Sequence, residues 1–413
     1  MTIQVLAIGD TGNMMMTLSK YTKKSRIHII NFPRDGAGIY TYLNGYELFE
    51  NYKVSDQVKK INKIKDKFDI CITMGTGERI AYLADLNYIA YYVGRDIDAP
   101  RFIKNSKEMW SNEPLHTLNF LERKFYRNTF DNAIAHVAYT WVFRHLKKYT
   151  ENAIRMDRIA LDSTIFNIAV KPLDRRKTKF TFFSPQRVEK FKGTDLLWKA
   201  LSYCKSDFEI LQVNLFGETN EEEKRFKENL LKNRPQQVTL ISPVKIYDMP
   251  KYYKFVDGVI GNMWLGIYEL VALESVLCKT PVIQYTNPEM KIIIDGKEMK
   301  SPFVPTSNDP KKIAELIDKV VESKEFRETL LEKEYEFVKE ISDPYKFGEW
   351  WDSLFEDLVK KHKSIKRNSS PIIIKFRIMF FLLANRLYFK KIVKQIINLI
   401  KLAHIRRLEN NSC

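Results

Sequence analysis

Apolar segments of strand length alternate with segments of helix length along most of this 413-residue chain. In the first half, the pattern predicts strands at residues 3–8, 26–31, 69–74, 88–93 and 132–137. In the second half, it predicts strands at residues 180–183, 208–213, 237–241, 258–260 and 281–284. Alternation at these lengths is typical of βαβ units, whose parallel strands form a sheet with helices on both faces. The sequence therefore predicts an α/β fold with two doubly wound, Rossmann-like domains.

The boundary between the two halves falls at residues 167–178, a polar stretch that contains Pro172 and has no clear periodicity. We therefore expect one domain at 1–167 and a second at 178–342, facing each other across a cleft. Ligands of such sheets bind at the carboxyl ends of the strands. Residues 343–362 are rich in aromatic side chains and predict a helix that crosses back to the first domain.

The net charge of +17 is concentrated at the end of the chain. Residues 360–413 hold fourteen Lys and Arg and one acid, Glu409, whereas the remaining residues hold 54 bases and 50 acids. A nucleic-acid-binding surface spread over the two domains would need an excess of positive charge that this part of the chain lacks. We therefore expect no nucleic-acid partner.

The four cysteines, Cys71, Cys204, Cys278 and Cys413, are far apart in the sequence and are typical of a reducing compartment. The histidines show no metal-ligand spacing, and the amino terminus reads as a strand rather than a signal peptide. The sequence thus predicts a cytoplasmic protein with no metal and no resident cofactor.

Arg187 and Lys192 lie five residues apart, between the strand at 180–183 and the helix predicted to open at Thr194. Arg offers a planar fork to phosphate oxygens, and Lys offers a point charge. Fixed cations of this kind stabilise the charge that develops on a leaving diphosphate. A basic loop can also be an ordinary solvated surface, but its position at a strand-to-helix connection favours phosphate binding.

A second motif runs from Gly266 to Ser275, where a strand-to-helix turn is followed by a largely apolar helix. Gly266, Ile267 and Tyr268 open this helix, and a helix amino terminus suits a diphosphate. Glu274 lies inside the helix, where burying a carboxylate is costly unless it has a partner, and it is a candidate ligand for ribose hydroxyls. A surface-facing glutamate is the alternative. Glu269 lies in the first turn, where helix capping alone explains an acid.

The first half offers weaker candidates. Gly9, Gly12 and Asn13 belong to a glycine-rich turn after the first strand, which predicts either a phosphate or acceptor loop or an ordinary tight turn. Asp96 follows the strand at 88–93 and is expected to reach into the cleft as a catalytic residue. With Asp98 it also spells D-x-D, a metal-nucleotide pattern of a different fold that we disfavour.

These motifs together resemble the retaining family-4 (group 1) glycosyltransferases of the GT-B fold, most clearly between residues 160 and 290. The resemblance implies that Arg187 and Lys192 bind the donor diphosphate and that Glu274 holds the ribose of a UDP- or GDP-sugar. It also implies retention at the anomeric carbon, with the donor phosphate acting as base. The family's usual sugar-contacting glutamate is replaced by Gly266, so the sugar contacts either differ or are supplied by the backbone and by Glu269. Glu269 and Asp96 are the candidate catalytic residues.

The tail at 366–413 combines apolar and basic residues. Its longest apolar run, 378–384, is far shorter than the ~20 residues that span a bilayer. One predicted helical face carries Ile392, Val393, Ile396, Ile397, Ile400 and Ala403, opposite Lys391, Lys394, Gln395, Asn398 and Lys401. Such a helix is typical of contact with an anionic membrane surface, although a helix pair packed on the domains is the alternative.

The sequence therefore predicts a peripheral glycosyltransferase on the cytosolic face of a membrane. Its acceptor is expected to be lipid-linked or membrane-associated. Two alternatives remain: a catalytically impaired sugar-nucleotide-binding or scaffold protein, supported by Gly266, and another sugar-nucleotide enzyme of this fold, such as an epimerase.

Overall fold

The computed structural model describes residues 2–33, 38–94, 97, 100–103, 118–215, 221–367 and 369–385. Its strands are β1 (Ile3–Ile8), β2 (Ser25–Asn31), β3 (Glu47–Leu48), β4 (Ile70–Thr73), β5 (Tyr88–Tyr92), β6 (Ala135–Tyr139), β7 (Ala153–Met156), β8 (Phe180–Ser184), β9 (Phe208–Val213), β10 (Val238–Ile241), β11 (Gly258–Ile260), β12 (Val282–Ile283), β13 (Ile292–Ile294) and β14 (Lys297–Met299).

The α-helices of the described residues are α1 (Met14–Tyr21), α2 (Gly38–Thr41), α3 (Val54–Ile64), α4 (Gly77–Leu83), α5 (Phe120–Asp131), α6 (Thr140–Leu146), α7 (Thr194–Leu201), α8 (Glu221–Lys232), α9 (Met249–Phe255), α10 (Leu270–Leu277), α11 (Pro310–Glu322), α12 (Lys324–Ile341), α13 (Pro344–His362) and α14 (Pro371–Ala384). Short 3₁₀ turns lie at Lys65–Lys67 and Lys190–Lys192.

The first domain is built on a parallel sheet in the order β3-β2-β1-β4-β5-β6-β7. Every residue of β5 and of β6 is buried. Central parallel strands carry helices on both faces, so they lack the alternation of a sheet that faces water on one side. The polar residue among them, His136, stacks on Phe130 with ring centroids 4.2 Å apart. Burial lowers its pKa to about 4, so it is a neutral core histidine.

The second domain is built on a smaller parallel sheet in the order β10-β9-β8-β11-β12, with the antiparallel hairpin β13–β14 beside it. Hydrogen-bonding side chains begin several of its helices, as at α11, where the Asp309 carboxylate accepts from the Lys311 amide at 2.8 Å. Such caps satisfy amides that the first turn of a helix leaves unpaired.

Helix α13 returns the chain to the first domain. Gly348 lies against the Tyr21 carbonyl so closely that a Cβ there would be 2.4 Å from the oxygen. The Asp352 carboxylate accepts from the amides of Lys23 and Lys24 at 2.7 and 2.9 Å. The end of the second domain is thereby fastened to α1.

The α/β architecture with two doubly wound parallel sheets is confirmed, and most predicted segments match elements to within a few residues. The prediction missed the strands β3 and β7, the β13–β14 hairpin and the helices α2, α3, α6 and α9. These elements are short or polar: α3, for example, buries Gln57, Val58 and Ile61 and exposes most of its other side chains.

Candidate functional site

The predicted diphosphate ligand Lys192 lies beside Glu269 at the carboxyl edge of the second sheet. Lys192 ends the 3₁₀ turn after β8, and Glu269 is the residue immediately before α10. The Lys192 Nζ is 2.6 Å from Glu269 Oε1, and both side chains are largely buried. The strand-to-helix connections of β8 and β11 therefore place a cation and a carboxylate together at the start of α10.

Glu269 is held by further donors. The Asn262 Nδ2 donates to Glu269 Oε1 at 3.1 Å and to the Phe191 carbonyl at 3.0 Å. Burial alone would raise the pKa of Glu269, but the charge and hydrogen bond of Lys192, with the hydrogen bond from Asn262, lower it below its ordinary value. Glu269 is therefore ionised at neutral pH and neutralises Lys192.

Arg187, the other predicted diphosphate ligand, is more accessible. Its side chain is 44% exposed, and its Nη1 lies 3.1 Å from Glu189 Oε1. Its partner Glu189 is only 12% exposed, so the pair is half-buried with the guanidinium on the solvent side. Arg187 is thus accessible to a ligand.

Gly266 occupies a position that is difficult for any side chain. Its φ of +68° lies in the left-handed region, and a Cβ there would be 2.9 Å from Asn287 Cβ and 3.0 Å from a ring carbon of Tyr285. A glutamate at this position would require both backbone strain and movement of Asn287. The packing around Gly266 therefore disfavours any larger side chain at this position.

Glu274 lies five residues further along α10 in different surroundings. Its Oε2 accepts a hydrogen bond from the Tyr253 hydroxyl at 2.9 Å. Burial raises the pKa of Glu274 to about 7, although the hydrogen bond from Tyr253 acts to lower it. Without a nearby cation, this carboxyl group is partly protonated at neutral pH.

A small cavity between the domains brings Glu274 together with the first-domain turn. Its lining includes Gly12, Asn13, Thr17, Leu43, Ala160, Leu161, Asp162, Ile165, Phe166, Ile246 and Glu274. Lys192, Glu269 and Arg187 do not line it. The structure therefore forms two neighbouring groups of polar side chains. The Glu269 group, with Lys192, lies at the start of α10, and the Glu274 group lies at the middle of α10 and faces the first domain.

The glycine-rich turn of the first domain contacts the second domain directly. Gly12 has a φ of +65°, and a Cβ there would be 3.0 Å from Leu270 Cδ1 at the first residue of α10. Asn13 donates to the Thr41 carbonyl at 2.9 Å and accepts from the Leu43 amide at 2.9 Å. The turn is thus fastened to the end of α2 and the segment after it, and Gly12 lies against α10 of the second domain.

Gly9 is fixed by the end of the sheet, because a Cβ on it would be 2.5 Å from the Met74 carbonyl oxygen. The following residue, Asp10, was not singled out from the sequence. It is buried and accepts from the amides of Met15 and Met16 at 3.0 and 2.9 Å and from the Tyr46 hydroxyl at 2.6 Å. Burial raises its pKa to about 6 against these hydrogen bonds. The sequence signal that could have identified Asp10 is its position just ahead of a predicted helix, where an aspartate often accepts hydrogen bonds from the first amides of the helix.

Ile267 and Tyr268 are buried rather than directed at the solvent side of the cleft. The Tyr268 ring lies edge-on to Tyr139 of the first domain, with centroids 5.9 Å apart. Any contact of these two residues with a donor would come from their backbone. Asp96, the other predicted catalytic residue, lies outside the described residues.

Within the described ranges, no three His, Cys, Asp or Glu side chains approach closely enough to hold a metal ion. None of the described helices is long and apolar enough to cross a membrane.

Residues 166–337 match the sequence model of the family described as glycosyl transferases group 1. This part of the chain, which holds the second parallel sheet, is therefore similar to group 1 glycosyltransferases. It contains Arg187, Lys192, Glu269 and Glu274, so both groups around α10 belong to the matched region. No curated protein matches the chain.

Solved structures resemble the two-domain part of this chain. The Anabaena protein Alr3699/HepE in complex with UDP-glucose has 16% identity and a TM-score of 0.63, covering 86% of this chain and 100% of its own. Sucrose-phosphate synthase from Thermosynechococcus elongatus has 12% identity and a TM-score of 0.62, covering 87% and 100%. A glycosyltransferase from Rickettsia africae has 16% identity and a TM-score of 0.54, covering 89% and 100%. Likeness at such low identity shows the fold alone, which is GT-B.

Proposed function

We propose that this protein transfers a hexosyl group from a UDP- or GDP-sugar to a lipid-linked or membrane-associated acceptor, with retention at the anomeric carbon and without a metal ion. The observation that carries the proposal is Lys192 at the start of α10, beside accessible Arg187, within the region that is similar to group 1 glycosyltransferases. Structural relatives were determined with UDP or UDP-glucose, which favours a nucleotide-sugar donor.

In the proposed reaction, the bond between the anomeric carbon and the β-phosphate oxygen breaks, and the nucleoside diphosphate leaves with the electron pair. The acceptor hydroxyl oxygen bonds to the anomeric carbon on the same face, and its proton passes to an oxygen of the leaving diphosphate. Arg187 and Lys192 would stabilise the charge that develops on this group. The first-domain turn at Gly9, Gly12 and Asn13 would border the acceptor side of the cleft.

Glu274 would accept hydrogen bonds from the ribose of the donor. Its position on the cavity between the domains and its single described hydrogen bond, from Tyr253, leave the other carboxyl oxygen for a ligand. A raised pKa allows the group to bind a hydroxyl either as acceptor or, when protonated, as donor.

Glu269 would contact the donor sugar in place of the acid that Gly266 lacks, and Asp96 would act from the first domain. Donor binding would then change the partner of Lys192 from Glu269 alone to Glu269 and diphosphate together. The same pairing favours the second candidate, a sugar-nucleotide-binding protein without transferase activity, because Glu269 already neutralises Lys192.

A donor panel tests the proposal. We expect one UDP- or GDP-sugar to raise the melting temperature of the wild-type protein and of a Lys190→Ala control, whose side chain is an exposed cation in the same turn. Arg187→Ala and Glu274→Ala should lose both this shift and sugar transfer while remaining folded. Full transfer activity in both variants would refute the site, and donor binding without transfer to any acceptor would favour the second candidate.

A further inference from the structure

Helix α14 presents an apolar strip to the solvent. Ile372 is 78% exposed and Phe376 is 62% exposed. The strip consists of the exposed side chains Ile372, Ile373, Phe376, Met379 and Leu383. Their spacing of three to four residues places them along one side of a helix. A contiguous apolar surface of this kind on a folded protein marks an interaction site.

The opposite side of α14 is firmly docked on the first domain. Phe381 is buried against Phe125 of α5, with ring centroids 5.0 Å apart. At the middle of the helix, Arg377 Nη1 donates to Asp85 Oδ1 at 2.6 Å, and both side chains are largely buried. The exposed strip is therefore the outer face of a fixed helix.

The strip leads to the cleft edge of the first domain. Strands β5 and β6 are parallel, so the connecting helix α5 begins at the edge where the strands end. The Asn119 side chain at that end of α5 donates to the Ala384 carbonyl at 3.3 Å. Helix α14 thus finishes at the cleft edge, where Phe120 is 67% exposed and Leu121 is also exposed. These two residues extend the strip toward the carboxyl ends of the sheet.

The charge around the strip favours an anionic partner. Lys124 and Lys375 are exposed on the two helices, and the sequence contains no acid between residues 371 and 408. Residues 386–407, which follow α14 in the sequence, contain seven Lys and Arg. An apolar strip bordered by cations fits the boundary between headgroups and acyl chains, into which interfacial helices sink by about 5–10 Å.

We propose that the α14 strip, with Phe120 and Leu121, inserts into an anionic membrane surface and holds the cleft edge of the first domain against the lipid. The membrane contact stands independently of catalysis. Its use as an access route for a lipid-linked acceptor rests on the function proposed above.

Vesicle sedimentation of the full chain, without donor, tests this surface. We expect binding to phosphatidylcholine vesicles that contain about one third phosphatidylglycerol, and weaker binding to phosphatidylcholine alone. The double variant Phe376→Ser/Met379→Ser should bind at least roughly tenfold more weakly, because it lacks two of the exposed apolar side chains that would become buried in the membrane. The matched control Ile168→Ser/Ile293→Ser removes exposed apolar side chains elsewhere and should bind as wild type.

Unchanged binding by the Phe376/Met379 variant, or no binding by the wild type, overturns the proposal. A wild-type dimer that this variant converts to a monomer, without vesicle binding, assigns the strip to a second copy instead. Donor-induced stabilisation measured without vesicles reports separately on the proposed function, so either can fail while the other holds.

Discussion

Glu269 and Glu274 lie five residues apart, at the start and in the middle of α10, and burial acts on them with opposite results. Glu269 has Lys192 and Asn262 as partners, and its pKa is lowered. Glu274 has the Tyr253 hydroxyl, and burial raises its pKa to about 7. The charge of a buried carboxyl group is therefore set by the donors around it, not by depth alone. One helix thus carries a permanent anion near the diphosphate candidates and a titratable group near the first domain.

The largest expected effect comes from removing the cation of the Glu269 group. Lys192→Ala leaves Glu269 buried without its counter-ion, and we expect the free energy of unfolding to fall by about 3 kcal/mol and sugar transfer to be lost. Chemical denaturation of this variant, beside Lys190→Ala, measures the loss. Glu269→Gln should restore stability to Lys192→Ala, and failure to do so would show that the pair is not coupled.

The pH dependence of stability tests the Glu274 group. Because its pKa is about 7 in the folded protein and about 4.5 when unfolded, folding is favoured by protonation of Glu274 at low pH, and this contribution is lost as pH rises toward 7. In the wild type, this effect lowers the free energy of unfolding by up to about 3 kcal/mol between pH 4.5 and 7.5, and Glu274→Gln should abolish that decrease. Asp10 titrates in the same range but is common to both proteins, so the difference between their stability curves isolates Glu274. Parallel curves would contradict the raised pKa.

A smaller effect is expected at the turn before α10. Gly266 and Gly296 both have positive φ, but only Gly266 has neighbouring atoms within van der Waals distance of a Cβ. Gly266→Ala should therefore lower the free energy of unfolding by about 2 kcal/mol more than Gly296→Ala. Thermal denaturation of the pair measures the difference. Equal losses would mean that the turn can accept a side chain and that packing does not keep an acid out.

The sequence predicted much of the fold because strand periodicity and helix patterning are local properties. The strands at 3–8, 208–213 and 258–260 were predicted with the bounds that the structure has. Short elements such as β3 and the β13–β14 hairpin carry too few residues for a pattern and form only where neighbouring elements accept them. Asp10 was missed because an aspartate in a turn has the same sequence signal whether it is exposed or buried.

The candidate site was predicted in its residue types but not in its pairings. Arg187, Lys192 and Glu274 stand out in the sequence, whereas the Lys192–Glu269 contact joins residues 77 positions apart. Helix α14 shows the same limit, because the sequence predicts an apolar and basic tail at 366–413 but does not say which face of α14 docks on Phe125 and which stays exposed.

The sequence by itself determined the alternation that produces two parallel sheets and the placement of cations after β8, because both follow from patterns within a few residues. Only the tertiary structure decided that Glu269 is ionised, that Glu274 titrates near neutrality and that Gly266 is enclosed by Asn287 and Tyr285. These properties depend on the distance to groups far away in the chain and on the water that packing excludes, and neither quantity is encoded in local periodicity.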